Sequence, residues 1–331
     1  MTFFHTARIG ISLAALALVG TFSASAQTAR TSTPWTMLRL PDTGQTTRYT
    51  QTPGEDSFYT INPPSYKVNG DGTVNDLVTG LQWQQTDGGE MAWAAGVAYC
   101  KALDLGGKKD WRLPYVHELF SIAMHETGFP AMDTTAFTKT NAQYWWASEE
   151  RAGNPEYAWA TNAGGGEGAH PKAETISSGG DARYHARCVR GAELSKPGDK
   201  PYTDGGNGTV TDNHTGLTWQ KTEGLAAATW EEALQYVATL NLGGHNDWRL
   251  PNVRELESIS SAYTVRPTID TEAFPGTPNA LYWTSTSLAR HGERAWTVSF
   301  TYGVVSYNNK TDKLHVRAVR GGTAPDASQH R

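Results

Sequence analysis

Two cysteines, Cys100 and Cys188, have the widest chemical range in the chain: each could be a thiolate nucleophile, a metal ligand or half of a disulfide. A second candidate is the string Asp-Trp-Arg-Leu-Pro, at Asp110 to Pro114 and again at Asp247 to Pro251. An aspartate two residues from an arginine could move protons, but the string recurs beside an apolar helix start, where an ion pair bracing a turn explains it better. His185 and His315 each precede an apolar run, and His117 is matched by Arg254, so no spacing converges on a metal. Calcium, which takes about six to eight oxygen ligands, finds no dense acidic loop. The residues best suited to binding are Tyr302, Tyr307, Asn308, Asn309 and Lys310, with Tyr157, Arg183 and Tyr184 earlier in the chain. Flat aromatic faces beside amides and cations suit sugars or protein partners. The expectation is a non-catalytic binding protein with no metal and no cofactor.

The elements that must position these groups come in duplicate. Asp71-Gly72-Thr73-Val74-Asn75-Asp76 and Thr79-Gly80-Leu81-Gln82-Trp83-Gln84 return as Asn207-Gly208-Thr209-Val210-Thr211-Asp212 and Thr215-Gly216-Leu217-Thr218-Trp219-Gln220, an offset of 136 residues (Trp83 to Trp219). From Trp111 to Trp248 the offset is 137, so a loop absorbed the change. Tyr144-Trp145 pairs with Tyr282-Trp283, Ala158-Trp159 with Ala295-Trp296, and His185 to Gly191 with His315 to Gly321. Two units of this length are a tandem pair of domains, not a solenoid. The copies differ most between Trp159 and His185, 26 positions against 19 from Trp296 to His315. The glycine-rich segment Gly164 to Gly180 reads as a mobile loop.

Within a copy, Thr229-Trp230-Glu231-Glu232 is a capping box opening an amphipathic helix with Leu234, Val237 and Leu240. The other copy has Ala92 and Ala95 at the capping positions, so its helix start is weaker. Pro114 and Pro251 open a second helix through Val116, Leu119, Ile122 and Val253, Leu256, Ile259. Short aromatic strands follow, which makes the fold α+β. On this pattern Cys100 lies on the first helix and Cys188 in the last strand, and copy two has lost both, to Val237 and Ala318. One disulfide in an oxidising compartment is the natural reading, and two buried free thiols the alternative.

The totals agree with two domains: 331 residues, 34 glycines and 12 tryptophans against only 18% charged residues point to glycine-made turns and aromatic cores. A net charge of -5 with interspersed signs gives no bulk attraction for nucleic acid. Arg8, the apolar run Ile9 to Val19 and Ala24-Ser25-Ala26 read as a cleaved signal peptide, residues 1–26, too short in its apolar part to span a membrane. The boundaries are an extended lead-in 27–56, domain one 57–192 (with Ser57 to Ile61 adding a strand), a linker 193–200, domain two 201–321 and a polar tail 322–331.

The run Asn207 to Asp212 with Thr215 to Gln220, then Trp230, Asp247-Trp248-Arg249-Leu250-Pro251 and the closing Val316-Arg317-Ala318-Val319-Arg320, resembles the Lcl C-terminal domain family. The resemblance covers both copies. It implies a fold similar to C-type lectin-like domains and the formylglycine-generating enzyme: two tandem domains, each with two helices followed by short antiparallel strands. In lectin-like domains a cysteine pair similarly ties the first helix to the last strand. The family takes its name from a bacterial collagen-like adhesin, which implies carbohydrate binding, sulfated glycans included. A net-negative chain gives polyanions no bulk attraction. Copper-dependent oxidation like that of the formylglycine-generating enzyme needs a reactive cysteine pair, and copy two has none. The partner expected is a polysaccharide or surface protein, in the periplasm or at the cell surface; a periplasmic protein-binding scaffold is the alternative.

Overall fold

The computed structural model describes residues 40–176, 183–191 and 201–321; the expected signal peptide, linker and tail lie outside them. Copy one begins with a meander, β1 (Tyr66–Val68), β2 (Thr73–Asp76) and β3 (Gln82–Gln84), followed by helices α1 (Trp93–Ala102) and α2 (Val116–Ser121). Strands β4 (Tyr144–Arg151), β5 (Asn154–Asn162), β6 (Glu167–Pro171), β7 (Tyr184–His185) and β8 (Val189–Arg190) complete it. Copy two repeats the order: β9 (Tyr202–Asp204), β10 (Thr209–Asp212), β11 (Thr218–Gln220), α3 (Trp230–Thr239), α4 (Val253–Ser258), β12 (Leu281–Leu288), β13 (His291–Ser299), β14 (Val305–Asn309) and β15 (Val319–Arg320). The last short strand of each copy closes that copy's own meander, giving sheets β1-β2-β3-β8 and β15-β11-β10-β9. The fold is α+β, as the order of elements implied.

The first helices start where the sequence implied, whereas α2 and α4 begin two residues beyond Pro114 and Pro251, with Tyr115 and Asn252 at the N-cap. Thr229 accepts the Glu232 amide and Glu232 returns the bond to the Thr229 amide at 2.8 Å, whereas Ala92 offers no side chain. A strand-end carbonyl helps both helices: Lys172 O takes the Trp93 amide at 3.1 Å and Lys310 O the Trp230 amide at 3.0 Å. Cys100 and Cys188 form a disulfide tying α1 to the chain just before β8.

One seven-stranded sheet, ordered β12-β13-β14-β6-β5-β4-β7, runs through both copies, joined where Val305 of β14 faces Glu167 of β6. Strand β6 lies in the segment read as a mobile loop. Residues 167–171 instead pair with β5 from Thr161 to Tyr157, and Glu167 is buried at the seam. Apolar side chains cross the seam as well: Phe120 and Ala123 enter the core of copy two, and Ala262 enters that of copy one. All described residues belong to one packed unit.

The lead-in packs along copy two as a buried polar strap. The expected strand from Ser57 does not form; a single 3-10 turn, Asp56–Phe58, takes its place because Glu55 and Asp56 turn inward. Asp56 accepts the hydroxyls of Thr43 and Thr286, both at 2.6 Å, and Glu55 accepts that of Ser287 at 2.5 Å. The Gln45 amide bonds both the N–H and the carbonyl of Ser287, at 3.0 and 2.8 Å. Arg254, fully buried, donates to the carbonyls of Asp42 and Ala123 and so ties the strap to both copies.

Candidate functional site

The turn between β13 and β14 rests on copy one. Gly303 adopts φ +74°, and a Cβ there would lie 2.8 Å from the Trp159 ring, so the turn needs glycine in order to lie flat. The neighbouring Tyr302 is thereby held at the boundary of the copies between two arginines. Arg266 donates to the Tyr302 hydroxyl at 2.6 Å with its guanidinium 5.2 Å from the ring centroid, and Arg151, ending β4, stands 5.5 Å from the same ring. Arg266 is exposed and has a left-handed φ of +55°, a conformation that costs a non-glycine residue about 1–3 kcal/mol. Among the described residues neither arginine has an acidic partner. Two cations gathered at one ring without a counter-charge make a place for an anionic group on a flat ligand.

The other residues named from the sequence do not join this cluster into one surface. Tyr307 packs edge-on against Trp296, centroids 5.9 Å apart, with Arg294 over its ring. Asn308 accepts from Thr297 at 3.1 Å, and Asn309 is exposed. Lys310 is framework: its ammonium lies 3.6 Å from the Trp230 ring centroid and donates to Ser287 at 2.7 Å. Burial lowers its pKa to about 8, against the opposing pull of Glu55, Glu231 and Glu293. Tyr302 and Lys310 flank opposite ends of β14, a strand of five residues spanning roughly 17 Å. In copy one, half-buried Tyr157 sits on β5 opposite Pro171, and Arg183 pairs with Glu90. Tyr184 is a correction: at 1% exposure it stacks on Trp146 and Tyr144 as core and offers no face to a ligand. Arg151 and Arg266 were missed. Their sequence signal was mismatch, since they stand opposite Leu288 and Phe129 in the other copy.

The repeated strings brace turns. Asp110 takes Arg190 at 2.7 and 2.9 Å, Asp247 takes Arg320 at 2.7 and 3.0 Å, and Arg112 and Arg249 hold Glu118 and Glu255. His185 donates its Nδ1–H to Asp87 at 2.7 Å, and His315 pairs with Glu223. Burial would raise Asp87, but His185, Arg187 and the Thr140 and Trp145 donors bring it well below the carboxylate range. Among the described residues no group of three or more His, Cys, Asp or Glu could hold a metal. No helix among them is long and apolar enough to cross a membrane.

Acids collect at the seam. His117 of α2 bonds Glu257 of α4, while Glu149 accepts the Val116 amide at 3.0 Å and the Ser148 hydroxyl at 3.2 Å. Burial lifts Glu149 to about 7, with His117 opposing and Glu118 assisting, and it holds Glu167 well above its ordinary value with help from Glu257 and Glu149. A carboxyl raised in the fold contributes stability that is fully present below its unfolded pKa and lost as pH rises through the folded one. For Glu149 that window runs from 4.5 to about 7 and carries at most about 3 kcal/mol. His125, lowered to about 3 by burial and Arg254, and His170, lowered to about 4 by burial, oppose the gain only below about pH 6.5, where the unfolded imidazoles protonate. The melting temperature should therefore rise as pH falls from 8 to 6.5, and Glu149→Gln should flatten that rise; equal slopes in both proteins would contradict the assignment.

The family model described as the Lcl C-terminal domain matches twice, over residues 72–190 and 208–320. These segments coincide with the two sets of elements from β2 to β8 and from β10 to β15. No curated protein matches the chain.

Proposed function

The chain belongs to the Lcl C-terminal domain family, in two tandem copies, and from that premise we propose that it is an exported, non-catalytic binding protein that recognises a polysaccharide through its strand-connecting turns. The fold is read as C-type lectin-like in each copy, and the place of action as the periplasm or the cell surface. The buried bridge between Cys100 and Cys188 supports an oxidising compartment and leaves no thiol for copper-dependent oxidation.

The observation that carries the reading is Tyr302 between Arg151 and Arg266, built from both copies. Tyr302 holds the two guanidinium groups together, and an acidic sugar meeting them would add charge-assisted hydrogen bonds worth about 1.5–3 kcal/mol each. Titration of a uronic-acid polysaccharide and a neutral one should favour the acidic chain. Tyr302→Ala should weaken both, and Arg266→Gln should cost the acidic one alone roughly tenfold or more. Equal affinity of the parent and both variants would remove the site from the reading.

A further inference from the structure

The duplication puts the same groove on the molecule twice, between the first helix, the start of the second helix and the end of the long hairpin. On copy two the chain fills it with its own residues 40–58. Thr50 bonds Glu231 at 2.8 Å, and Gly54 lies against the Leu234 side chain. Leu234 and Trp230 are consequently 0% exposed, and Arg249 6%. On copy one the matching positions are open: Val97, opposite Leu234, is 37% exposed, Trp93 is only half-buried and the Arg112 side chain is 30% exposed.

The two grooves share their framework and differ in charge at two positions of the hairpin. On copy two, β12 offers the hydroxyls of Thr286 and Ser287, and the strap brings the acids, Asp56 and Glu55, to meet them. The hairpin register corrects the sequence pairing by one residue, matching Trp146 rather than Trp145 with Trp283, so on copy one β4 carries its own acids at those two positions, Glu149 and Glu150. Glu149 has already taken the helix amide that Thr286 holds in copy two: Val116 donates to the one at 3.0 Å and Val253 to the other at 3.0 Å. Glu150 pairs with Lys172, which spans Trp93 as Lys310 spans Trp230. A segment with acids in the strap's register would meet like charges here. A second copy of this chain offers that kind of segment, so it is the wrong occupant.

We propose that the open groove of copy one, floored by Trp93 and Val97 and edged by Glu150 and Lys172, docks an extended segment of a partner protein. That segment follows the strap's path, is small and hydroxyl-rich over the tryptophan, and carries a lysine or arginine where the strap carries Glu55 and a neutral residue where it carries Asp56. The proposal is independent of the Tyr302 surface.

Two synthetic peptides spanning residues 43–58 test it, one natural and one with Glu55→Lys and Asp56→Gln, each titrated calorimetrically into the full chain with hydrogen exchange followed on the complex. The substituted peptide should bind saturably, at least tenfold tighter than the natural one, and slow exchange over residues 93–102. Val97→Asp, a surface change whose folding is checked by an unaltered melting curve, should abolish that binding, and Arg266→Gln should leave it intact. The proposal is overturned by no saturable binding, by equal affinity of the two peptides, or by binding indifferent to Val97→Asp. Protection confined to residues 253–258 and 281–288, which would mean exchange for the chain's own strap, also overturns it, as does a dimer that forms only while Val97 is present.

Discussion

Arg249→Met should lower unfolding free energy by about 3–5 kcal/mol, the usual consequence of leaving one member of a buried ion pair behind. Arg249 grips Glu255 with two bonds, 2.5 and 2.6 Å, both side chains being nearly sealed from water. Glu255 also accepts the Asn252 amide at 2.9 Å and caps α4, so it cannot turn away without undoing the helix start. Its charge bears on Asp42 and Asp56, which burial already raises, Asp42 to about 6. Losing the guanidinium therefore leaves three acids close together and loosens the strap. Arg112 makes the same two-toothed bond to Glu118 at 2.7 and 2.7 Å, yet stands at the open groove where water can replace it. Arg112→Met should cost at least about 1 kcal/mol less. Urea unfolding of the two variants reads this difference, and equal losses would contradict the role given to the strap. Pairing Arg249→Met with Glu255→Leu should recover only part of the loss, because the unpaired Glu255 charge is gone but the Asn252 amide loses its capping acceptor.

The second large effect concerns the disulfide. Its cysteines are 88 residues apart, and closing a loop of that length restricts the unfolded chain by about 4–5 kcal/mol in the chain-entropy model, of which real bridges often deliver less. Copy two supplies the control for packing, since Val237 and Ala318 occupy the same positions at 2% and 0% exposure. Cys100→Val with Cys188→Ala should thus retain the core and lose about 2–5 kcal/mol against the oxidised parent. A loss under about 1 kcal/mol would mean that the bridge constrains little that packing does not already hold.

Much of this was legible in the sequence because the duplication let each copy annotate the other. Trp83 against Trp219 and Trp111 against Trp248 fixed the elements, and the joint loss of the cysteines identified their pairing. Lys310, read as a ligand residue, shows its framework role only in the structure, where it covers Trp230 as Lys172 covers Trp93. The strap was not legible: it has no period, and its acids make sense only once Thr286 and Ser287 are known to stand where Glu149 and Glu150 stand. Strand β6 was hidden by glycines that permit a loop without requiring one, its place being decided by pairing to β5 and β14. Tyr184 points inward without a sequence signal, because two-residue strands give too little alternation to show which face is buried. The Arg151, Tyr302 and Arg266 cluster joins residues 151 positions apart across the seam, a distance at which local pattern is silent.

The most direct test of the central claim is retention of residues 27–331 on a glycan array at physiological salt, with and without chelator, for the parent and the Arg151→Gln, Arg266→Gln double variant. The account predicts a chelator-insensitive signal on acidic glycans that the double variant loses. Silence on every glycan, or a signal the double variant keeps, would contradict it.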